Sequence, residues 1–155
     1  MNLVLETVVP SAENGKKIAK FLSENFWTEH SLSGEQSPEI DWSRASAHIN
    51  HFMFEGIVYN VSDGDKIVGS IAVAPDKHWW SAEEYVGDGW FFVLPEYRNL
   101  KDQTSPSHLL IDAVIDYANK LEKPLIMGVF NLQGVERAKK LFDKKGFHQI
   151  GAMYY

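Results

Sequence analysis

The sequence predicts a mixed α/β fold in a single domain, and three observations carry this prediction. The chain has 155 residues, which suits one domain with a full core. Its apolar residues recur at helical spacing in some stretches and alternate as in strands in others. A hairpin is followed by a strand, a helix and a further strand, an order typical of a mixed sheet with helices on its faces. We therefore expect one domain over residues 1–155.

The first two predicted elements are a strand and a helix. Residues 2–9 alternate weakly between apolar and polar and end at Pro10, as a strand would. Ser11 is then suited to the N-cap of a helix whose apolar positions recur at helical spacing as far as Phe26. Gly15 weakens this helix without abolishing it.

The middle of the chain predicts a second helix and a hairpin. After a polar loop over residues 31–39, Asp41 can cap a helix that runs to about Met53. Residues 57–75 then contain two β-rich runs on either side of Ser62–Asp65. Because that tetrapeptide is rich in turn-forming residues, the segment predicts a β-hairpin.

The second half continues with a strand, a helix, a strand, a helix and a final strand. Pro106 follows Ser105 at the start of the first of these helices, where a missing N–H is no loss to the helix. Gly146 suits the C-terminal cap of the second. The predicted strands are residues 85–93, 124–130 and 147–155, and the predicted helices are residues 105–121 and 135–146.

Composition excludes several kinds of chemistry. The chain contains no cysteine, which excludes disulfides, thiolate catalysis and cysteine-ligated zinc.

The N-terminus lacks the basic and apolar regions of a signal peptide, and the longest apolar run, near Trp90, is too short to span a bilayer. We therefore expect a cytoplasmic protein that has no membrane partner.

Charge is distributed unevenly along the chain. The formal net charge of −6 argues against DNA or RNA as the main ligand. Residues 1–94 hold 6 basic and 14 acidic side chains, a net −8, whereas residues 95–155 hold 9 and 7, a net +2. Either the solvated surface is simply uneven, or an anionic ligand binds near the second half and a cationic one near the first.

Several segments of the second half resemble one family. The segment VLPEYRN, residues 93–99, is similar to the strand end and following loop of the GNAT superfamily of N-acetyltransferases. The helix that follows, the strand 124–130 with Asn131 just after it, and the segment AKKLFDKKGF at 138–147 match the rest of that family's C-terminal half. The resemblance covers roughly residues 85–147 by motif and the whole chain by the order of elements.

The resemblance implies a three-layer α+β fold with about four helices and a central mixed sheet of six to seven strands. In that fold two central parallel strands splay apart, here residues 85–93 and 124–130, and acetyl-CoA lies in the gap. The backbone groups of Phe92, Val93 and Leu94 would then pair with the pantetheine arm.

The loop that holds the pyrophosphate in this family contains glycines, and the corresponding loop of this chain contains none. Counted forward from Arg98, the glycine positions hold Lys101 and Gln103; counted back from the helix, they hold Thr104 and Pro106. A side chain at the first position crowds the phosphate, and proline at the second removes a hydrogen-bond donor. The residues assigned to the cofactor beyond the strand are Arg98, Lys101, Thr104, Ser105, Ser107, His108 and Asn131.

One of these cofactor assignments and the catalytic one have alternatives in the residues themselves. Asn131 is nearly as well suited to cap the last helix. Transfer to an amine needs a base, because a lysine-like amine is almost fully protonated at pH 7. Asp88 is the candidate, although it could instead begin its strand in a Gly-Asp-Gly turn. Phe142 occupies the position where many members have a tyrosine that protonates the departing thiolate, and phenylalanine cannot donate a proton.

Two aromatic features stand outside the motif. His48 and His51 share a helix face, which is a weak metal signal and more typical of surface or half-buried histidines, so no metal is expected. Trp79 and Trp80, with Glu84 beyond them, either cover the core or form an acceptor wall or a protein contact.

Taken together, the residues and the resemblance predict an acetyl-CoA-dependent N-acyltransferase that transfers an acetyl group to a primary amine on a small molecule or a protein. The alternative is a non-catalytic protein of the same fold that binds a partner protein. The family often continues into another strand after the last one here, so a homodimer could complete the final hairpin. Compact divergent chains of this kind also resemble some encoded by bacteriophages.

Overall fold

The computed structural model describes residues 1–27, 39–98, 100, 105–128 and 135–151. Within these ranges five strands form one mixed sheet in the order β1-β2-β3-β4-β5, and none of the helices is long and apolar enough to cross a membrane. The strands are β1 Leu3–Thr7, β2 Ile57–Asp63, β3 Lys66–Lys77, β4 Glu84–Val93 and β5 Leu125–Ile126. The helices are α1 Ala12–Phe21, α2 Trp42–Glu55, α3 Pro106–Lys120 and α4 Val135–Lys144.

Both N-terminal helices begin at the predicted caps. The Ser11 hydroxyl accepts a hydrogen bond from the Asn14 N–H at 3.0 Å, and the Asp41 carboxylate accepts one from the Arg44 N–H at 3.1 Å. Each bond satisfies a backbone donor that has no partner within its helix. Beyond α1 the chain continues as a π-helical turn over Leu22–Phe26.

The predicted hairpin is present and its turn is tighter than expected. β2 and β3 are joined by Gly64 and Asp65 alone, and the neighbouring Asp63 and Lys66 already pair across the hairpin. Gly64 has a φ of 61°, which lies in the left-handed region that glycine reaches without a steric penalty.

Helices cover both faces of the sheet. On one face Phe92 of β4 contacts Phe21 of α1, with ring centroids 5.9 Å apart, and α2 packs beside α1. On the other face Leu110 of α3 lies against Gly69 of β3, where an added Cβ would stand 3.0 Å from the leucine side chain. The predicted three-layer arrangement with four helices is therefore confirmed for the described residues.

The sheet has fewer strands than the six to seven predicted. Within the predicted final strand, residues 147–151 pair with no other strand, and Ala152–Tyr155 lie outside the described residues. Residues 148–151 are exposed, and the Gln149 side chain donates a local hydrogen bond to the Gly151 carbonyl instead. The strand predicted at residues 124–130 is paired over Leu125–Ile126 only, and its last two residues are likewise not described.

One carboxylate fastens three parts of the chain together. Asp63, at the end of β2, accepts the Asn2 N–H at 3.0 Å and the Tyr97 hydroxyl at 2.8 Å. The bond from Asn2, followed by that from Tyr97, holds the pKa of Asp63 below its usual value. The N-terminus, the hairpin and the short 3₁₀ turn Pro95–Tyr97 that follows β4 therefore meet at a single side chain.

Candidate functional site

The candidate site lies where the two parallel strands stop pairing. Among the described residues, β4 and β5 pair at two positions, Val86 with Leu125 and Gly87 with Ile126. At the next position of β4 the Asp88 carboxylate accepts the Gly128 N–H at 3.2 Å. A side chain thus takes the place of the next ladder bond between the described parts of these two strands, which are the pair that the resemblance implied would splay apart.

Asp88 is a half-buried carboxyl with an altered affinity for protons. Burial raises its pKa above the usual value, and this effect outweighs the opposing influence of the Gly128 N–H and of His48. Asp88 is the fifth residue of the ten-residue strand β4, so the alternative that it merely begins the strand in a turn is wrong. A carboxyl in this state is a better proton acceptor than an exposed aspartate.

A β-bulge lies directly after Asp88. Ala72 of β3 pairs with Trp90, whereas the next residue, Val73, pairs with Asp88. Gly89 is therefore an extra residue on β4. Such a bulge bends its strand and redirects the neighbouring side chains. Here it changes the course of β4 at the point where β5 stops pairing with it.

Helix α2 fixes the position of this bulge. A Cβ on Gly89 would lie 2.8 Å from the ring of Phe52, so the close approach of α2 requires glycine at this position. His48 lies one turn earlier, and its Nε2 is 3.2 Å from the Gly89 carbonyl. Because a carbonyl oxygen only accepts, Nε2 carries the proton in this bond. His48 is thus a positioning group for the bulge.

A cavity of about 150 Å³ opens beside Asp88. Among the described residues, Asp76 and Asp88 are the carboxylates that line it, and no lysine or arginine does. Asp76 and Tyr85 are cross-strand partners on β3 and β4, which explains how they meet here although they are nine residues apart. The described residues that line it are His51, Phe52, Ala74, Pro75, Asp76, Tyr85, Gly87, Asp88 and Ile126.

Sequence reasoning missed Asp76, Tyr85 and His51 as members of this site. The signal for the first two was present only in the hairpin register, because strand alternation and a bulge together decide which residues face each other. The sequence indicates His51 and His48 as surface or half-buried histidines only. No group of three or more potential metal ligands occurs in the described ranges.

The tryptophans predicted as an acceptor wall form an exposed aromatic surface. Trp79 is 92% exposed and Trp80 is 66% exposed, so the alternative that they cover the core is wrong. The Trp80 ring is stacked on His78 at 4.5 Å, and His78 is stacked in turn on Tyr85 of the cavity at 4.6 Å. Glu84, which was predicted to contact the acceptor, is paired with Lys123 at 3.3 Å.

At the far end of β4 the structure corrects the predicted pairing with the cofactor. The Leu94 N–H donates to the Val68 carbonyl, and the Leu94 carbonyl accepts the Tyr97 N–H, so neither group of Leu94 faces the gap. Phe92 pairs with Ser70 of β3 and points its backbone groups the same way as Leu94. Of the three predicted residues, only Val93 directs its backbone toward the gap.

Arg98 is held at the same end of β4. Its Nε donates to the Val93 carbonyl at 2.7 Å, and its guanidinium carbon lies 4.9 Å from the centre of the Phe92 ring. Both contacts fold the side chain back onto the strand. The predicted role of Arg98 in cofactor binding therefore has to work from this folded-back position.

The first turn of α3 stands next to this strand end. Leu110 and Val93 both lie against Gly69, which places the start of α3 beside the end of β4. Ser105 is buried at the N-cap, yet its hydroxyl accepts no bond from the first turn. Pro106 then removes one further donor. Ser107 and His108 are half-buried in this turn, whereas Lys101, Thr104 and Asn131 lie outside the described residues.

Phe142 has a packing role in the structure. Its ring lies 5.2 Å from that of Phe147, and both pack against the hydrophobic core. An apolar residue at this position of α4 is thus explained by its surroundings.

Comparison with known proteins identifies the fold. No protein-family model and no curated protein match the chain. Among solved structures, it is similar to an acetyltransferase of the GNAT family from Streptococcus pneumoniae, with a TM-score of 0.69 and 15% identity over 97% of this chain and 86% of that one. A ribosomal-protein-alanine N-acetyltransferase from Brucella melitensis biovar Abortus 2308 matches with a TM-score of 0.67 and 12% identity over 100% and 97%.

A third similar structure contains a ligand. It is AAC(6')-Iy in complex with the bisubstrate analogue CoA-S-monomethyl-acetylneamine, with a TM-score of 0.64 and 12% identity over 100% of this chain and 97% of that one. These likenesses extend over nearly the whole chain, so the chain has the fold of these acetyltransferases.

Proposed function

We propose that this protein is an acetyl-CoA-dependent N-acetyltransferase that transfers the acetyl group directly to a primary amine. The observation that carries the proposal is the position of Asp88, a carboxyl with a raised pKa at the parting of β4 and β5 and on the wall of a cavity. Support also comes from the fold, because the similar structures are described as acetyltransferases and one of them holds a CoA bisubstrate analogue.

The residues at the far end of β4 fit the cofactor in part. The N–H of Val93 faces the gap, and the first turn of α3 has no side-chain cap from Ser105, which leaves its dipole available to a phosphate group. Arg98 adds a positive charge there. The missing glycines and Pro106 reduce the number of backbone donors, so we expect acetyl-CoA to bind more weakly than to a glycine-containing loop.

The reaction needs a proton to leave the acceptor before the amine can attack. Acetyl-CoA, when bound, supplies a thioester whose C–S bond breaks as the new C–N bond forms. Asp88 removes the proton from the acceptor ammonium, directly or through a water molecule. Because Phe142 cannot return a proton to the departing thiolate, that proton comes from another group or from solvent.

The test measures cofactor binding and turnover separately. Calorimetry with acetyl-CoA at low salt should give saturable binding, and a chromogenic thiol assay should detect CoA release when amines are added. Because the chain has no cysteine, the protein itself adds no thiol signal to that assay. The Asp88→Asn variant should bind acetyl-CoA as the wild type does and release thiol far more slowly. No binding at millimolar acetyl-CoA would contradict the proposal.

A second candidate function is binding of a partner protein without catalysis. The 92% exposure of Trp79 favours it, because exposed tryptophans are frequent anchors of protein interfaces. This candidate predicts no saturable acetyl-CoA binding. A cytoplasmic location, a homodimer and a bacteriophage origin stay predictions from the sequence.

A further inference from the structure

We propose that the acceptor carries two positive charges: the reacting amine enters the acidic cavity beside Asp88, and a second cationic group rests on the exposed aromatic surface of Trp79 and Trp80. This inference rests on the proposed transferase function, since it names the class of acceptor for that same site.

The first support is the electrostatic character of the cavity. The pKa of Tyr85 is raised by burial and further by the charges of Asp76 and Asp88, so both carboxylates act on the same point of the cavity wall. The Tyr85 hydroxyl also donates to the Asp76 carboxylate at 3.5 Å. A primary ammonium group is complementary to such a wall, to which the described part of the chain contributes no lysine or arginine.

The second support is the continuity between the cavity and the aromatic surface. Tyr85, His78 and Trp80 form an uninterrupted stack, with interplanar angles of 26° and 10° between successive rings. Trp79 adjoins its end at right angles to Trp80, at 5.5 Å and 84°. An extended molecule whose head is in the cavity can therefore follow this stack outward and contact the tryptophans.

The third support is the charge around the tryptophans, which determines whether they bind a cationic or an apolar group. Residues 76–84 hold three acids, Asp76, Glu83 and Glu84, and one base, Lys77. Glu84 is neutralised by its pair with Lys123, so the segment keeps an excess of one negative charge, and Glu83 is exposed. Indole faces attract cations, and the negative charge of this segment favours them further. A cation therefore matches this surface better than a neutral apolar group, which the tryptophans alone would also accept.

The experiment compares three amines of equal chain length by calorimetry, with the protein saturated with CoA at low salt: 1,6-diaminohexane, hexylamine and 6-aminohexan-1-ol. We expect the diamine to bind roughly 3- to 30-fold more tightly than either monoamine. In Trp79→Ala and Trp80→Ala this advantage should shrink toward none, whereas the affinity for hexylamine should hardly change. Trp42→Ala is the matched control, because Trp42 is also exposed but lies at the start of α2.

Each alternative outcome overturns the inference. Binding of hexylamine as tight as that of the diamine would mean that the tryptophans receive an apolar group. An advantage of the diamine that survives both tryptophan substitutions would place the second charge elsewhere. In either case, if hexylamine releases thiol from acetyl-CoA in a parallel assay, the proposed transferase function stands and only the proposed acceptor class is wrong. If acetyl-CoA itself does not bind, the proposed function fails, and the acceptor class fails with it.

Discussion

The middle and the end of β4 are built in different ways. In its middle, α2, a bulge and the neighbouring strands fix a half-buried carboxyl next to a cavity, through contacts that involve Asp88, Gly89 and Phe52. At its end, the loop toward α3 lacks glycine, and Arg98 is folded back on Val93. The proposed acceptor side therefore has a defined geometry, whereas the proposed cofactor side offers a helix terminus and one arginine. The difference indicates that a strand can carry a well-formed site in its middle although the loop at its end departs from a recognised motif.

Replacing Asp88 tests the acceptor side and should have the largest effect. Asp88→Asn removes the proton acceptor and keeps an oxygen for the Gly128 N–H, so we expect turnover to fall by roughly 10²- to 10⁴-fold with little change in acetyl-CoA affinity. Steady-state thiol release and calorimetry give the two values. Unchanged turnover would assign Asp88 a purely structural role.

The raised pKa of Asp88 also predicts how the stability and the rate of the wild type and of Asp88→Asn depend on pH. Since the folded-state pKa of Asp88 is raised, its protonated form is favoured by folding, and that contribution is lost as the pH rises through the raised pKa. Asp88→Asn should therefore be at least as stable as the wild type at neutral pH. The wild-type rate should decline on acidification at a pH above the usual aspartate pKa, and thermal unfolding at several pH values checks the stability.

Replacing Gly89 should break the geometry that supports Asp88. The added methyl group of Gly89→Ala meets the buried Phe52 ring at 2.8 Å, so we expect a loss of about 1–3 kcal/mol in the free energy of unfolding and a slower reaction. Gly151→Ala is the control, because an added Cβ there meets nothing within 4 Å.

A second substitution shows whether the clash is the cause. Combining Gly89→Ala with Phe52→Leu should restore part of the lost turnover relative to Gly89→Ala, because a leucine leaves more room beside the bulge. Denaturation and activity measurements on the four proteins form a double-mutant cycle. Strict additivity of the two changes would contradict the proposed contact.

Replacing Arg98 tests the cofactor side. Arg98→Ala removes a positive charge and the bond to the Val93 carbonyl, and we expect acetyl-CoA to bind roughly tenfold more weakly. Arg98→Lys keeps the charge but loses the Nε bond, so it separates the two contributions. If both variants bind acetyl-CoA like the wild type, the loop binds the cofactor without this residue.

Glu84 should show the smallest effect. Its carboxylate is paired with Lys123 near the surface, so Glu84→Gln should change the free energy of unfolding by about 1 kcal/mol at most. The apparent affinity for amines should change by less than about threefold, because the ion pair already neutralises the Glu84 carboxylate. A large increase in KM for amines would restore the sequence-based assignment of Glu84 to the acceptor.

The sequence predicted most of the fold because its signals are local. The caps Ser11 and Asp41, the turn at Gly64 and the start of α3 at Pro106 each depend on residues within a few positions. Asp88 could be chosen because it is the acid on a recognisable strand. The cavity could not be predicted, since Asp76 and Tyr85 meet only through the strand register, which the bulge at Gly89 shifts.

The bonds of Asp63 couple the mobility of the N-terminal strand to that of the turn Pro95–Tyr97. β1 is an edge strand whose side chains are largely exposed, which makes it a segment prone to fraying. When it frays, the Asn2 bond breaks and the Asp63 carboxylate that holds Tyr97 loses its other anchor. Because the pKa of Asp63 is lowered in the folded state, this coupling is lost as the pH falls through that pKa. Hydrogen exchange at the N-terminus and in the 3₁₀ turn that contains Tyr97 should therefore accelerate together in acid.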